Sequence, residues 1–135
     1  MHVQMLKSKL FEACVTQAEL RYEGSLGIDA ELMEMVGMHP HEKILVSNVN
    51  TGARFETYAI SEPFGSRRIV LNGAAARLGA VGDRVIIMSF CEVEEAIVKA
   101  GEHRPRIVRL DERNEPVEAA KPVPTSDRVA SMSQG

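Results

Sequence analysis

The sequence predicts a mainly β protein, folded as one small closed barrel. Short runs rich in apolar and β-branched residues recur along the chain. Clusters of glycine, proline, asparagine and aspartate separate these runs, as expected of turns. Few stretches have helical periodicity, and many short strands with few helices favour a barrel over a doubly wound sheet. The 135 residues are enough for a single hydrophobic core.

Seven runs are predicted to be strands. In chain order they cover residues 3–10, 14–20, 43–49, 55–60, 68–71, 85–90 and 106–110. The clearest turn signals between them lie at 50–52, 63–66 and 79–83. This spacing leaves room for only short helical segments.

Three short helical segments are predicted between the strands. Asp29 is placed to cap a helix that ends at Gly37, since aspartate suits the first position and glycine the position after the last. Asn72 is predicted to cap a brief helical turn. Residues 92–100 form the third candidate, because their apolar residues fall on one side of a helix.

The domain is expected to cover residues 1–118, followed by a disordered tail at 119–135. The tail is rich in proline and polar residues, which cannot build a packed core.

Composition excludes several functional classes. The net charge of −3 and the lack of a basic stripe argue against nucleic acid as a partner. No apolar run reaches the length of a membrane span and no signal peptide is evident, so we expect a cytoplasmic protein without a membrane partner. Cys14 and Cys91 are isolated and expected to be reduced. His39 and His41 have no third ligand nearby, which favours a surface loop over a metal site.

An ordered set of motifs is more informative than composition. It consists of Tyr22-Glu23-Gly24-Ser25, then NTGARFETYAI at 50–60, then LNGAAA at 71–76. This order, over about residues 5–118, resembles the family of pyruvoyl-dependent aspartate decarboxylases. The resemblance implies a six-stranded double-psi β-barrel that converts L-aspartate to β-alanine and carbon dioxide for pantothenate synthesis. It also implies a homotetramer with active sites between subunits.

The resemblance implies that the chain cuts itself between Gly24 and Ser25 and that Ser25 becomes a pyruvoyl cofactor. Its hydroxyl would attack the preceding carbonyl, and the resulting ester would eliminate to dehydroalanine, which hydrolysis converts to pyruvoyl and ammonia. Glycine suits position 24 because it has no Cβ and accepts strained backbone. Thr57 matches a residue that the family needs for this maturation. Without the flanking motifs, a plain hairpin turn would be the better interpretation of Gly24-Ser25.

Three side chains match the family's groups for turnover. Tyr58 matches the proton donor, and a phenol near the carbanion can protonate it. Arg54 matches the main substrate anchor, since a guanidinium can bind the retained carboxylate through two hydrogen bonds. Lys9 matches a second cation in the pocket, although a solvated strand lysine is the simpler interpretation of that residue alone.

A small-residue segment completes the predicted site. Backbone N–H groups at such a turn can bind an anion. By resemblance, substrate contacts involve Thr57, Asn72, Gly73, Ala74 and Ala75, with Tyr22 as a weaker candidate. Phe11 departs from the histidine that many relatives have, so any hydrogen bond made there is absent.

Two other functions stay open at this stage. A non-catalytic barrel that binds a ligand or a protein would keep the fold without processing. A DNA-binding barrel of the swapped-hairpin type is disfavoured by the acidic balance. Whether maturation is spontaneous or needs a helper protein is also open.

Overall fold

The computed structural model describes residues 1–117, so the predicted tail at 119–135 lies outside the described residues. Strands, α helices and one 3-10 helix follow each other along this part of the chain. In order they are β1 (His2–Cys14), β2 (Gln17–Glu19), β3 (Ser25–Asp29), α1 (Ala30–Val36), β4 (Lys43–Asn48), β5 (Arg54–Glu62), β6 (Ile69–Asn72), the 3-10 helix (Gly73–Arg77), β7 (Arg84–Glu94), α2 (Glu95–Lys99) and β8 (Arg106–Arg109).

The strands close into a six-stranded barrel, in which β1 and β2 count as one strand. The strands are hydrogen-bonded in the order β2-β6-β3-β5-β4-β7-β1-β8. β1 and β2 form one run that is interrupted at Val15 and Thr16. Its first part pairs with β7 and its second part with β6, which closes the ring. Where the run crosses over, the N–H of Thr16 donates to the carbonyl of Ile69 at 2.8 Å. β8 lies outside the ring, parallel to β1.

Parallel and antiparallel neighbours alternate around part of the ring. β3 runs parallel to β5 and β2 runs parallel to β6, whereas the remaining ring neighbours are antiparallel. The predicted fold class, a mainly β, six-stranded double-psi barrel with short helices, is confirmed. No helix within residues 1–117 is both long and apolar enough to cross a membrane.

The barrel interior is filled by alternate residues of its strands, because successive side chains of a strand point to opposite faces. In β4, Ile44 and Val46 are buried while Leu45 between them is partly exposed. In β7, Val85 and Ile87 are buried in the same way. Each fully buried aliphatic side chain contributes roughly 1.5–3 kcal/mol relative to an exposed one. This core holds the outward-facing strand residues at fixed positions.

Helix α1 is confirmed as predicted. A carboxylate oxygen of Asp29 accepts a hydrogen bond from the N–H of Glu31 at 2.8 Å, which caps the helix start. Gly37 ends the helix with φ +74°, a conformation that glycine adopts without steric cost. α1 buries Leu32, Met33 and Val36 against the barrel.

Two local predictions were wrong. The third predicted helix is strand over its first residues, since β7 continues to Glu94 and pairs there with His2 of β1; only Glu95–Lys99 is helical. Asn72 stands at the start of the 3-10 helix but its side chain makes no capping hydrogen bond. In addition, strand β3 was not anticipated. Its pairing with β5 and β6 outweighs the local turn signal of Gly24-Ser25.

Candidate active site

Ser25 is the buried first residue of β3, with 1% of its surface exposed. It lies opposite Asn72 in the antiparallel pair of β3 and β6. The side-chain amide of Asn72 donates a hydrogen bond to the Ser25 hydroxyl at 3.1 Å. That hydroxyl in turn donates to the carbonyl of Glu23 at 3.4 Å. The amide of Asn72 therefore orients the Ser25 hydroxyl instead of capping the helix that follows.

Gly73 brings the 3-10 helix against the backbone that precedes Ser25. A Cβ at this position would lie 2.7 Å from the carbonyl oxygen of Tyr22 and 2.8 Å from the Cα of Gly24. Gly73 also has φ +64°, in the left-handed region that favours glycine. The segment 22–24 is thus held by a contact that only glycine at position 73 allows.

Gly24 does not have the strained backbone that was attributed to it from sequence. Its φ is outside the left-handed region, and a Cβ there would meet no heavy atom within 4 Å. Backbone strain and close packing are therefore features of Gly73, whereas a Cβ at position 24 would meet no neighbouring atom.

Tyr58 lies on the strand next to Ser25. Leu26 of β3 pairs with Ala59 of the parallel strand β5, and Ser25 and Tyr58 are the residues just before that pair. Their side chains project to the face opposite the buried Leu26 and Ala59. Asn72, Ser25 and Tyr58 thus follow one another across β6, β3 and β5, with about 4.8 Å between strands. Tyr58 is 37% exposed.

Thr57 has the opposite orientation to Tyr58 on β5. It pairs with Ile44, which is buried in the core, and is itself half-buried. No hydrogen bond joins Thr57 to Ser25 among the described residues. The predicted role of Thr57 in maturation stays a prediction.

Arg54 is exposed at the start of β5 and points to the same face as Tyr58, since the two residues are four positions apart. Within residues 1–117, its guanidinium makes no hydrogen bond or ion pair. Between the two lies Glu56, whose carboxylate is 2.9 Å from the Lys43 ammonium in an exposed pair that contributes little to stability. The outward face of β5 therefore offers an uncompensated cation and a phenol.

Lys9 is not brought close to Ser25 within one chain. It lies on β1, where it pairs with Met88 of β7; Met88 pairs with Leu45 of β4, and Leu45 with Glu56 of β5. Three strand spacings, about 14 Å, thus separate Lys9 from Glu56 on β5. The Lys9 ammonium lies 5.1 Å from the ring centroid of Phe11, a cation–π contact that histidine would not reproduce in the same form.

A cleft of about 340 Å³ opens beside Asn72 and Tyr22. Its other lining residues were not predicted from sequence. They are Gln17, Glu19, Glu62, Arg68 and Val70. The guanidinium of Arg68 donates to the Gln17 side chain at 2.6 Å and lies 3.4 Å from a carboxylate oxygen of Glu62. The alternating polar residues Gln17 and Glu19 of β2 could have indicated a polar face of that strand. Such a pattern does not reveal which strand pairs with β2, so it could not locate the cleft.

The remaining predicted groups are placed as follows. Ala74 is exposed and Ala75 is buried in the 3-10 helix beside Asn72. His39 and His41 lie in the turn between α1 and β4, as expected of a surface loop. Among the residues that the structure describes, no group of three or more histidine, cysteine, aspartate or glutamate side chains is placed to hold a metal ion.

Asp29 anchors the other end of β3. Burial alone would raise the pKa of this carboxyl. Hydrogen bonds from the N–H and guanidinium of Arg67, and from the N–H groups of Glu31 and Gly65, outweigh burial and hold the pKa below its usual value. β3 is thus tied at its first residue by Asn72 and at its last residue by Arg67.

Known proteins are similar in sequence to this chain over most of its length. The sequence profile of the aspartate decarboxylase family matches residues 1–117. The aspartate 1-decarboxylase of Maricaulis maris is 51% identical over 122 residues, which cover 90% of this chain and 98% of that protein. The enzyme of the same name from Hyphomonas neptunium is 54% identical over 115 residues, covering 85% of this chain and 96% of that one. The computationally designed msDPBB_sym2 protein aligns with TM-score 0.43 and 18% identity, over 66% of this chain and 99% of that chain.

The barrel and its similarity to these enzymes define a lyase that removes a carboxyl group. The chain belongs to the aspartate decarboxylase family.

Proposed function

We propose that this protein decarboxylates L-aspartate to β-alanine after cutting its own chain between Gly24 and Ser25. The observation that carries the proposal is the buried Ser25 hydroxyl, held at 3.1 Å by Asn72 next to a backbone segment packed on Gly73. The names of the relatives support the substrate. The product would serve pantothenate synthesis in the cytoplasm.

Maturation begins with the Ser25 hydroxyl oxygen adding to the carbonyl carbon of Gly24. The C–N bond then breaks, the hydroxyl proton passes to the released amine, and an ester links the two residues. Loss of the α-proton and of the Gly24 carboxylate leaves dehydroalanine, which water converts to a pyruvoyl group and ammonia. Thr57 would stabilise the oxyanion through its hydroxyl.

The local arrangement fits a pyruvoyl group at position 25. The amide of Asn72, which now donates to the Ser25 oxygen, would suit a carbonyl oxygen equally well. When formed, the group supplies a carbonyl that accepts the electrons released by decarboxylation.

Residues of the chain would bind the substrate and deliver the proton. Arg54 holds the carboxylate that survives, with Lys9 as the second cation, because firm binding of the departing carboxylate would oppose its loss. Gly73, Ala74 and Ala75 contact the substrate through their backbone. The Tyr58 phenol gives its proton to the carbon that lost carbon dioxide, and the phenolate regains a proton from solvent.

We also propose a homotetramer with active sites between subunits, as the family resemblance implies, and the separation of Lys9 from Ser25 supports a site shared between subunits. Lys9 lies on the part of the barrel wall away from β3, and Arg54 and Tyr58 are exposed. A neighbouring subunit that presents its Lys9 to another subunit's Ser25 would complete the site. Size and mass of the cut protein in solution test this assembly.

Intact mass under denaturing conditions tests the proposal. We expect two peptides, residues 1–24 and 25–135, with the second lighter by one ammonia than a peptide beginning with serine. The Ser25→Ala protein should stay whole. Cutting at the same bond in that variant would overturn the hydroxyl mechanism. If the wild-type protein stays whole when purified alone but is cut in a cell extract, a helper protein drives the step.

A pair of variants on β5 separates maturation from turnover. Thr57→Val should leave uncut precursor. Tyr58→Phe should be cut normally yet release little β-alanine, since only a hydroxyl is lost. Near-normal turnover by cut Tyr58→Phe protein would remove Tyr58 from the mechanism.

A further inference from the structure

Tyr58 has one aromatic neighbour, His41, that no functional assignment above uses. The two rings meet edge to face, with centroids 6.1 Å apart and planes at 84°. This geometry is one of the two that aromatic pairs prefer. The turn that carries His41 comes from outside β5, so it contacts Tyr58 without being its neighbour in sequence.

Two backbone hydrogen bonds hold the turn at His41 to Ala59, the residue that follows Tyr58. The N–H of His41 donates to the carbonyl of Ala59 at 2.7 Å, and the N–H of Ala59 donates to the carbonyl of Glu42 at 3.0 Å. His41 has φ +71°, a left-handed conformation in which histidine is among the more tolerant residues. This conformation and the two hydrogen bonds fix the backbone from which the imidazole projects.

Charged contacts hold the same turn to β1. The Glu42 carboxylate accepts hydrogen bonds from the Lys7 ammonium at 2.8 and 3.0 Å and from the N–H of His39 at 2.9 Å. Because the turn is tied to two strands, the imidazole is a preorganised neighbour of the phenol and not a freely moving one.

We propose that His41 is a positioning residue for Tyr58: its ring orients the phenol, and its charge state changes how readily the phenol releases its proton. The proposal rests on the proposed role of Tyr58 as proton donor. A positive charge beside a phenol stabilises the phenolate that is left when the proton is transferred, so an imidazolium at position 41 would favour the transfer.

Of the other charged groups near Tyr58, Lys43 and Glu42 are paired, whereas Arg54 on the same face of β5 has no polar partner among residues 1–117 and keeps its charge throughout this pH range. Lys43, opposite Tyr58 on β4, lies 2.9 Å from Glu56 of β5, and Glu42 is paired with Lys7 of β1. Histidine side chains are the ordinary groups that change charge between pH 5 and 8. His39 is the second histidine of the turn and has to be controlled for.

The composition of the chain permits a direct optical test. It contains two tyrosines and no tryptophan. In a full-length Ser25→Ala, Tyr22→Phe protein, Tyr58 is the sole tyrosine and the precursor is not expected to mature. We expect its fluorescence to change in one step between pH 5 and 8, because a neighbouring imidazole alters phenol emission when it gains a proton.

Matched variants identify the source of that step. His41→Asn removes the ring and tolerates the left-handed backbone, and it should abolish the step. His41→Phe keeps an aromatic ring without a titrating group, with added strain because its bulky side chain would stand at positive φ, and it should also abolish the step. His39→Ala should retain the step. A step that survives His41→Asn, or that disappears with His39→Ala, overturns the proposal.

Turnover measurements on the cut enzymes test the positioning role itself. His41→Asn should be cut to the same extent as wild type and keep its KM for aspartate, while kcat falls about two- to tenfold, the range expected for an aromatic pair. The ratio of wild-type to His41→Asn kcat should be larger at pH 5 than at pH 8. His41→Phe should recover part of the kcat but not the pH dependence of the ratio.

Two outcomes separate this inference from the proposed function. If kcat and its pH profile are unchanged in His41→Asn while Tyr58→Phe is inactive, Tyr58 is the donor but His41 does not position it. If cut Tyr58→Phe protein is fully active, the proposed donor is wrong, and the positioning role falls with it even if the optical step is present.

Discussion

Two neighbouring parts of the barrel wall, the β3–β6 pair and the outward face of β5, differ in how far their polar groups are satisfied. In the first, Ser25 is 1% exposed and bonded to Asn72, with Gly73 packed on the preceding backbone. In the second, Tyr58 is 37% exposed, and Arg54 has no polar partner in the described part of the chain. Under the proposed function, the first region is the maturation site and is already ordered within one chain, whereas the second holds the turnover groups that substrate and neighbouring subunits would complete.

Gly73→Ala should have the largest effect on the first region. The new Cβ would lie within 2.8 Å of the backbone at Tyr22 and Gly24, and the left-handed φ adds about 1–2 kcal/mol of strain. We expect little or no cut protein by intact mass. Gly52→Ala is the matched control, since Gly52 has φ +79° but open space around it. It should lose only the stability that the backbone strain costs and still be cut, and equal cutting in both variants would show that the contact at Gly73 is unimportant.

Arg54→Ala tests whether the second region is independent of the first. Maturation should be unchanged, because Arg54 contacts nothing near Ser25. Loss of a charge-assisted pair with substrate costs about 2–5 kcal/mol, so kcat/KM for aspartate should fall by tens- to thousands-fold. Arg54→Lys should also be poor, since ammonium cannot make the two-pronged contact.

Alanine as a substrate identifies which carboxylate Arg54 binds. Alanine lacks the side-chain carboxylate and should be very weak for the unaltered enzyme. If Arg54→Ala lowers kcat/KM for aspartate and alanine by the same factor, Arg54 does not bind the side-chain carboxylate.

Asp29→Asn should affect stability but not chemistry. The charge-assisted hydrogen bonds of Asp29 are each worth about 1.5–3 kcal/mol, so urea denaturation at pH 7 should show a loss of that order or more. Because the pKa of folded Asp29 is below its unfolded value, the stabilisation is complete above about pH 4 and is lost as pH falls through the folded value. The difference from wild type should therefore shrink in acid. Cutting should proceed normally in protein that has folded, and a failure to cut would mean that the two ends of β3 act together.

Phe11→Leu should have the smallest effect. An exposed cation–π contact is worth about 0.5–1 kcal/mol, so the KM for aspartate should rise about two- to fivefold, with unchanged maturation. Phe11→Tyr keeps an aromatic face and should remain near wild type. An unaltered KM in Phe11→Leu would show that the ring does not help to place Lys9.

The parts of the fold with strong local patterns were predictable. Asp29 and Gly37 bound α1 as their residue types indicate, and alternation located β4 and β7. The Tyr22-to-Ser25 motif and the segments after it identified the family before any coordinates.

Features that depend on distant pairing were not predictable. β3 exists because β5 and β6 flank it, and β7 extends to Glu94 because β1 runs beside it. Asn72 carries a capping residue type, yet the proximity of Ser25 gives its amide another partner. The contact between His41 and Tyr58 likewise joins residues that no local pattern relates.

The crossing of the β1–β2 run would also determine how the protein behaves on unfolding once it has been cut as proposed. The proposed cut lies between β2 and β3, so the shorter peptide keeps the two strands that pair with β6, β7 and β8. Neither peptide alone has the strands to close the ring. The precursor folds as a single molecule at a rate that does not depend on concentration, but an unfolded mature enzyme would need two separate peptides to meet again. Its lifetime is then governed by how slowly the barrel first opens, and dilution makes that opening a one-way event.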